Sequence, residues 1–467
     1  MGHNIESKSP VIVWFRDDFR LQDNPALDAA VKTGQLVIPV FILELKSRWS
    51  YGEASKLWLG ETLRKLSSQL EELGSYLLCF EGDPNIFLPS LIEKTGANSI
   101  YWNRRYDPLG VPLDKTIFSN LKRGCDIKSF EGRLLSEPTR LKSGGGTPYK
   151  VFTPFYNMCL KVGLDIIVSG KPDLIASPPA LDFGHDLDAI FPRPRLLWQQ
   201  TLVRQWAIGE EAALKKLDLF IANTLRQYSE GRDFPSLGHI SFLSPHLRFG
   251  EISVRRVWHE IQRTAEFDPQ LAASSKIWSR QLLWRDFAYS ILFHFPSTHE
   301  KPFRGEDNEH LWLDNEEGFT LWTKGKTGFP IIDAGMRELW ATGFMHNRVR
   351  MLVASFLCKH LGIHWLKGAE WFWNTLVDAD LASNSFGWQW SAGCGADAAP
   401  YFRIFNPVTQ SKKFDQNGAY IKRWLPELQH LKGENVHEPG VAGYATPLVE
   451  LSVGRSAALA RLVKSKC

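Results

Sequence analysis

The chain has 467 residues, too many for one compact core and enough for roughly two or three domains. Hydrophobic residues at 44% and charged residues at 23% are ordinary globular values, which excludes a disordered, collagen-like or coiled-coil chain. A net charge of +4 neither demands a polyanionic partner nor forbids one.

From Val11 the chain alternates short apolar runs with helical patterns. VIVWF is followed by a segment capped by Asp23 or Asn24, begun by Pro25 and closed by Gly34, and then by LVIPVFIL. A longer helical pattern from about Ser55 to Leu73 stops at Gly74, SYLLCF follows, then a helix from about Asp83 to Lys94, then SIYW. This βαβ alternation predicts an α/β N-terminal domain over residues 1–130, an open, Rossmann-like parallel sheet with helices on both faces. No GxGxxG follows the first strand, so a ligand at its strand ends is a fold-level expectation only. Residues 131–197 carry SGGGTP, SPP and FPRPR and read as a surface connection between domains. The SGGG run lacks a following GK[ST] and is a flexible loop rather than a phosphate cradle. From residue 198 to 467 the spacing is helical, as in SSKIWSRQLLWRDFAYSILFHF, and predicts an all-α C-terminal domain.

The distribution of tryptophan is the unusual feature. Of 18, only Trp14, Trp49, Trp58 and Trp102 precede residue 198. Trp278, Gln281 and Arg285 fall at i, i+3 and i+7 on one helical face with Trp284 beside them, a core helix or a site built of aromatics and charge. Asn347, Arg348, Arg350 and Met351 group polar and basic side chains around an adaptable thioether. Asp378, Asp380, Asn384, Trp388 and Trp390 lie in DADLASNSFGWQW, where short polar residues run into paired indoles. His360 and His364, near Cys358, have metal-compatible spacing but no acidic third ligand, so packing and capping are expected and no metal. Cys79, Cys125, Cys159, Cys358, Cys394 and Cys467 form no CxxC, which argues against a disulfide framework, a zinc knuckle or an iron–sulfur motif and predicts a reducing compartment. Residues 1–10 lack an apolar leader, and no run approaches the roughly eighteen apolar residues of a membrane span. A soluble, cytoplasmic protein is expected. No Ser-His-Asp, HExxH or P-loop pattern is present; the residues suit a planar cofactor and a nucleic acid, with indoles to stack bases and Arg232, Arg348 and Arg403 for phosphates.

VIVWFRDDFRLQDNPAL, RDFP at Arg232–Pro235, LSPHLRFGEIS, WRDFAY, TGFMHNRVRM, DADLASNSFGWQW and DAAPYFRIFNP resemble, in the same order, the motifs of the DNA photolyase and cryptochrome family, from about residue 11 to 440. The resemblance implies an α/β antenna domain and a helical domain that holds FAD in a folded conformation. It implies light-driven repair of cyclobutane pyrimidine dimers, with UV-damaged DNA as partner, no membrane, and a monomer. Carried over position by position, it assigns Tyr228, Ser241, Leu243, Ser244, Trp278, Arg285, Asn347, Arg350, Asp378 and Asp380 to FAD, and Asn384 to the flavin N5. Trp284 and Trp390 would sandwich the lesion, with Gln281, Asn347 and Met351 at its edges. Arg232, Arg348, Arg403 and Gln410 would contact DNA, and Trp388, Trp365 and Trp312 would carry electrons to the flavin.

Asn347 and Met351 stand where 6-4 photolyases place histidines, and Asn384 where plant-type cryptochromes usually place Asp, which favours the cyclobutane-dimer reading. Against the dimer-repair pattern, Gln281 replaces the usual Glu, Ile240 Thr, Phe242 Arg, and Phe344 a common Trp. A cryptochrome-like blue-light receptor with FAD and little repair is the alternative. Around Asn103–Gly110 the chain resembles members that hold their antenna deep in the α/β domain; the resemblance implies methenyltetrahydrofolate, with 8-hydroxy-5-deazaflavin or an empty pocket as alternatives.

Overall fold

The computed structural model describes residues 9–44, 47–164, 166–305, 312–398, 400–401, 403–441 and 443–464; Cys467 lies outside them. Five strands, β1 (Val11–Phe15), β2 (Val37–Leu43), β3 (Leu78–Glu81), β4 (Ser99–Asn103) and β5 (Asp126–Phe130), form a wholly parallel sheet in the order β3-β2-β1-β4-β5. β1 and β4 are buried along their whole length, as their unbroken apolar runs require. β5 is an edge strand with the half-polar sequence DIKSF, which is why it carries no clear strand signal. The strand order reverses between β1 and β4, placing the sheet's natural crevice at their carboxyl ends.

Helices α1 (Pro25–Lys32), α2 (Glu53–Glu72), α3 (Pro84–Thr95) and α4 (Gly110–Leu121) cover the sheet. Asn24 is the α1 cap, accepting the Leu27 N–H at 3.3 Å, and Asp83 caps α3 by accepting the Asn85 N–H at 2.8 Å. Residues 131–197 are more than a surface connection. They contain helix α5 (Phe152–Val162), whose Phe152, Phe155 and Cys159 are buried against Leu283, Phe287 and Ile291. Its Phe-x-x-Phe-x-x-x-Cys spacing is a helical stripe hidden between turn-rich stretches.

Everything after Leu197 that has regular structure is helical among the described residues. At its centre the helix Ala272–His294 is buried on several faces rather than along one stripe, the pattern of a helix enclosed by others. The two halves interlock through buried carboxylates. Glu210 accepts the Leu21 and Gln22 N–H groups, each at 2.8 Å, and Glu251 accepts Trp58 Nε1 at 2.9 Å, Thr62 Oγ1 at 2.5 Å and pairs with His246.

Because Glu251 is bonded to three groups that are sealed from water, Glu251→Ala orphans the Trp58 N–H and His246 Nδ1, leaves the Thr62 hydroxyl only the Trp58 carbonyl, and costs about 3 kcal/mol or more. Glu251→Gln keeps an acceptor for Trp58 and Thr62 and recovers most of that loss. Thermal unfolding of the two variants checks this; equal melting of both contradicts the hydrogen-bond account.

Candidate functional site

A cavity of about 690 Å³ opens between the helices. The helix Ala272–His294 turns Trp278, Gln281, Trp284 and Arg285 into it; the loop before the helix Ser244–Phe249 contributes Ser241 and Leu243; the helix Asn347–Ser355 contributes Asn347, Arg348, Arg350 and Met351. Asp378 and Asp380 lie on its floor, and the helix Leu381–Ala392 adds Asn384, Trp388 and Trp390. The last helix starts there because Asp380 caps it, accepting the Ser383 N–H at 2.8 Å. In the same way, His346 caps the helix Asn347–Ser355 by accepting the Arg348 N–H at 3.2 Å.

The floor is a network of paired charges. Arg350 Nη2 donates to both oxygens of Asp378, at 3.0 and 2.8 Å, and Ser244 Oγ donates to Asp378 at 2.6 Å. Asp380 accepts the Tyr289 hydroxyl and lies 3.7 Å from Arg133. Burial alone would raise the Asp380 carboxyl, but Arg285, Arg133 and Arg248 outweigh it and hold it below the usual range. The network continues to Asp17, just past β1. Asp17 pairs with Arg248 at 2.7 Å and Arg133 at 3.4 Å and accepts Tyr51 OH at 2.7 Å. Its burial penalty is overcome by Arg248, Arg133 and Arg105, which bring its carboxyl down to about 2. Gly250, at φ +62°, lies so close that a Cβ there would overlap the Asp17 carbonyl oxygen.

Trp388 is buried 5.0 Å from the Phe372 ring and 6.2 Å from Trp322, with its indole N–H unpartnered among the described residues. A Cβ at Gly368 would overlap this indole, so glycine is needed for the close approach. Asn384 donates its side-chain amide to Ala369 O at 2.9 Å. Trp284 stacks face to face on Phe152 of α5, centroids 3.6 Å apart and 8° between planes.

Residues 11–176 match the family described as DNA photolyase, and residues 278–464 the FAD binding domain of DNA photolyase. The chain is 46% identical over 445 residues to a deoxyribodipyrimidine photo-lyase of Agrobacterium fabrum, spanning 92% of this chain and 90% of that protein. It belongs to the DNA photolyase and cryptochrome family. Cryptochrome-1 of Arabidopsis thaliana is 36% identical over 92% of this chain and 64% of its own. The crystal structure of a class III photolyase from Agrobacterium tumefaciens superposes with a TM-score of 0.92, at 43% identity over 99% of each chain.

The cavity chemistry fits the family's FAD. Arg248, Arg285 and Arg350, with the Ser241 and Ser244 hydroxyls, form a donor set suited to a pyrophosphate, and Trp278, Leu282, Ala288, Phe344 and Leu376 give apolar walls for flat rings. Tyr228, Arg232 and every position expected for FAD or lesion line this one cavity. Trp365, Trp312, Arg403 and Gln410 do not. Trp365 is fully buried, and the His364 ring lies between it and Trp312, 5.7 and 4.7 Å away. Arg403 is exposed and Gln410 half-buried. Gln281 donates to Ile277 O at 3.0 Å and presents its oxygen to Arg232 at 3.5 Å.

His360 stacks on Phe356, and His364 caps its helix by accepting the Leu366 N–H at 3.1 Å. Among the described residues no three His, Cys, Asp or Glu side chains converge as a metal site, and no helix is long and apolar enough to cross a membrane. Trp373 donates to Ser50 O at 2.6 Å and packs on Trp49, joining the two halves, whereas Trp371 stacks on the 66%-exposed Trp340.

Sequence reasoning missed Asp17, Arg133, Arg248, Phe152, Trp322 and Asp233. Asp17, Arg248 and Asp233 stand inside quoted motifs, so a place at the site could have been suspected from the motifs alone; Arg133 carries no pattern.

The Asp17 carboxyl titrates at about 2, below its ordinary 3.8, so its contribution is complete above pH about 4 and lost as pH falls through about 2. Asp17→Asn therefore destabilises by on the order of 2 kcal/mol at neutral pH. The gap in unfolding midpoint between variant and parent narrows as pH falls across that window; a constant gap contradicts the pairing.

Proposed function

We propose that this protein repairs cyclobutane pyrimidine dimers in DNA under light, using FAD bound in the cavity. The observation that carries the reading is that the residues assigned to flavin and those assigned to the lesion line a single cavity, so donor and acceptor share one space. The reduced flavin, when bound, supplies on illumination the electron that splits the dimer and receives it back. The chain's own residues bind, orient and exclude water. Photolyases are among the enzymes that take their target bases out of the stack. Trp284, made rigid by Phe152, and Trp390 offer indole faces to the flipped bases, with Asn347, Met351 and Gln281 at their edges. Asn347 and Gln281 carry donors and acceptors suited to pyrimidine edges.

Arg350 and Ser244, fixed by Asp378, with Arg285 and Trp278, would hold the cofactor, and Asn384 would face its N5 side. Arg232, Arg348, Arg403 and Gln410 are assigned to the DNA backbone around the cavity mouth. Trp388, Trp365 and Trp312 are assigned to flavin photoreduction on the family resemblance, and indoles suit the role because they can be oxidised transiently and pass a hole outward. Methenyltetrahydrofolate is assigned as antenna over a deazaflavin on the resemblance around Asn103–Gly110, and the absorption spectrum of chromophores released on denaturation tests that choice.

Gln281, tied to its own helix and lacking a carboxylate's charge, together with the 36% identity to Cryptochrome-1, favours the second reading of a blue-light receptor with little repair. One experiment separates them: reduced protein is illuminated with a dimer-containing oligonucleotide and thymine absorbance is followed. Recovery is expected; none, with normal flavin photoreduction, leaves the receptor reading. Trp388→Phe is expected to slow photoreduction about ten-fold or more while prereduced variant repairs at close to the parental rate. Equal loss of both activities contradicts the assigned wiring.

A further inference from the structure

Three carboxylates line the cavity, and they are not equivalent. Asp378 and Asp380 sit on the floor, paired with Arg350 and Ser244 and with Arg133 and Tyr289. Asp233 is at the rim, its side chain 38% exposed, and it bonds Arg348 at 2.8 Å and lies 4.0 Å from Arg232 Nε. Both arginines are ones assigned to DNA phosphates, and each also touches a side chain of the lesion wall. Arg348 Nη1 donates to Met351 Sδ at 3.9 Å, while its guanidinium lies 4.3 Å over Phe414; Arg232 reaches Gln281 at 3.5 Å.

We propose that Asp233 is a specificity-determining residue that occupies Arg348 and Arg232 in the free protein, so that a DNA backbone gains them only where a flipped lesion fills the cavity. The proposal rests on the DNA-repair reading. A phosphate approaching the closed rim meets the Asp233 carboxylate, and this like-charge contact opposes binding. An undamaged duplex offers nothing to offset it. A dimer seated against Met351 and Gln281 displaces the contacts those side chains make with the two arginines, freeing the guanidiniums to turn from Asp233 to phosphate. The carboxylate thus discriminates by penalising the wrong ligand rather than by rewarding the right one.

The test measures binding of the flavin-loaded protein in the dark to one labelled duplex, undamaged or carrying a single thymine dimer, from about 50 to about 200 mM NaCl. Asp233→Asn is expected to bind the undamaged duplex roughly three- to ten-fold more tightly at low salt, with less than about two-fold change for the dimer. The slope of log affinity against log salt for undamaged DNA should steepen by about 0.9 for each arginine released to a phosphate, about 1.8 for both. Asp233→Glu should keep the parental preference, and Arg348→Ala in the Asp233→Asn background should remove the gain. Asp233→Ser serves as a second neutral variant with the same expected outcome. If the parent prefers the dimer but both neutral variants leave undamaged binding unchanged, or tighten both duplexes equally, the proposal is overturned and the repair reading stands. A parent that binds the two duplexes alike overturns both.

Discussion

The buried carboxylate of Asp17 sets a condition on the rest of the molecule. A charge sealed from water is tolerated only when it is paired and hydrogen-bonded, and leaving it unpaired costs several kcal/mol. Its partners come from three separate parts of the chain: Tyr51 ahead of α2, Arg133 after β5, and Arg248 from the first helices of the C-terminal half. None of these is near Asp17 until the sheet has formed and the helical half has docked. Arg248 in turn donates to Ala379 O at 2.6 Å, and Arg133 reaches Asp380 and Tyr289. The carboxyl end of β1 and the cavity floor are therefore one electrostatic unit. Gly250 is small where Asp17 passes because no side chain could fit between the two backbones.

With the floor held this way, the remaining walls are simple packing. One enclosed helix supplies Trp278, Gln281, Trp284 and Arg285 from a fixed axis, and α5 clamps Trp284 from behind. The excess of tryptophan after residue 198 resolves into distinct uses. Trp284 and Trp390 present faces to the cavity; Trp388 is sunk against Gly368 and Phe372; Trp373 seals the seam with Trp49. Their shared property is a large flat apolar body with a single donor, and it serves stacking, hole transfer or burial according to what lies against it.

Elements governed by local chemistry were legible in the sequence. The Asn24-Pro25 start of α1, the start of α3 at Asp83 and the apolar strands β1 and β4 all depend on residues close together in the chain. The ordered motifs also brought about two thirds of the cavity lining into view, because each is a contiguous block. What stayed hidden is nonlocal or masked. Asp17 and Arg248 are 231 positions apart and announce nothing by spacing, β5 lacks alternation because an edge is half wet, and the stripe of α5 sits between Gly- and Pro-rich stretches. Trp322, fully buried with its N–H on Val353 O at 3.2 Å, reads in sequence like any other core indole.

Asp17 and Asp380, one on each half, share Arg133 and Arg248 beneath the cavity and so act on it as a unit. The decisive experiment is a double-mutant cycle on FAD affinity, measured by flavin fluorescence on reconstitution of the parent, Asp17→Asn, Asp380→Asn and the double variant. A coupling of about 1–3 kcal/mol is expected, because either change unsettles the same two arginines. Additive losses would mean that the two carboxylates act independently.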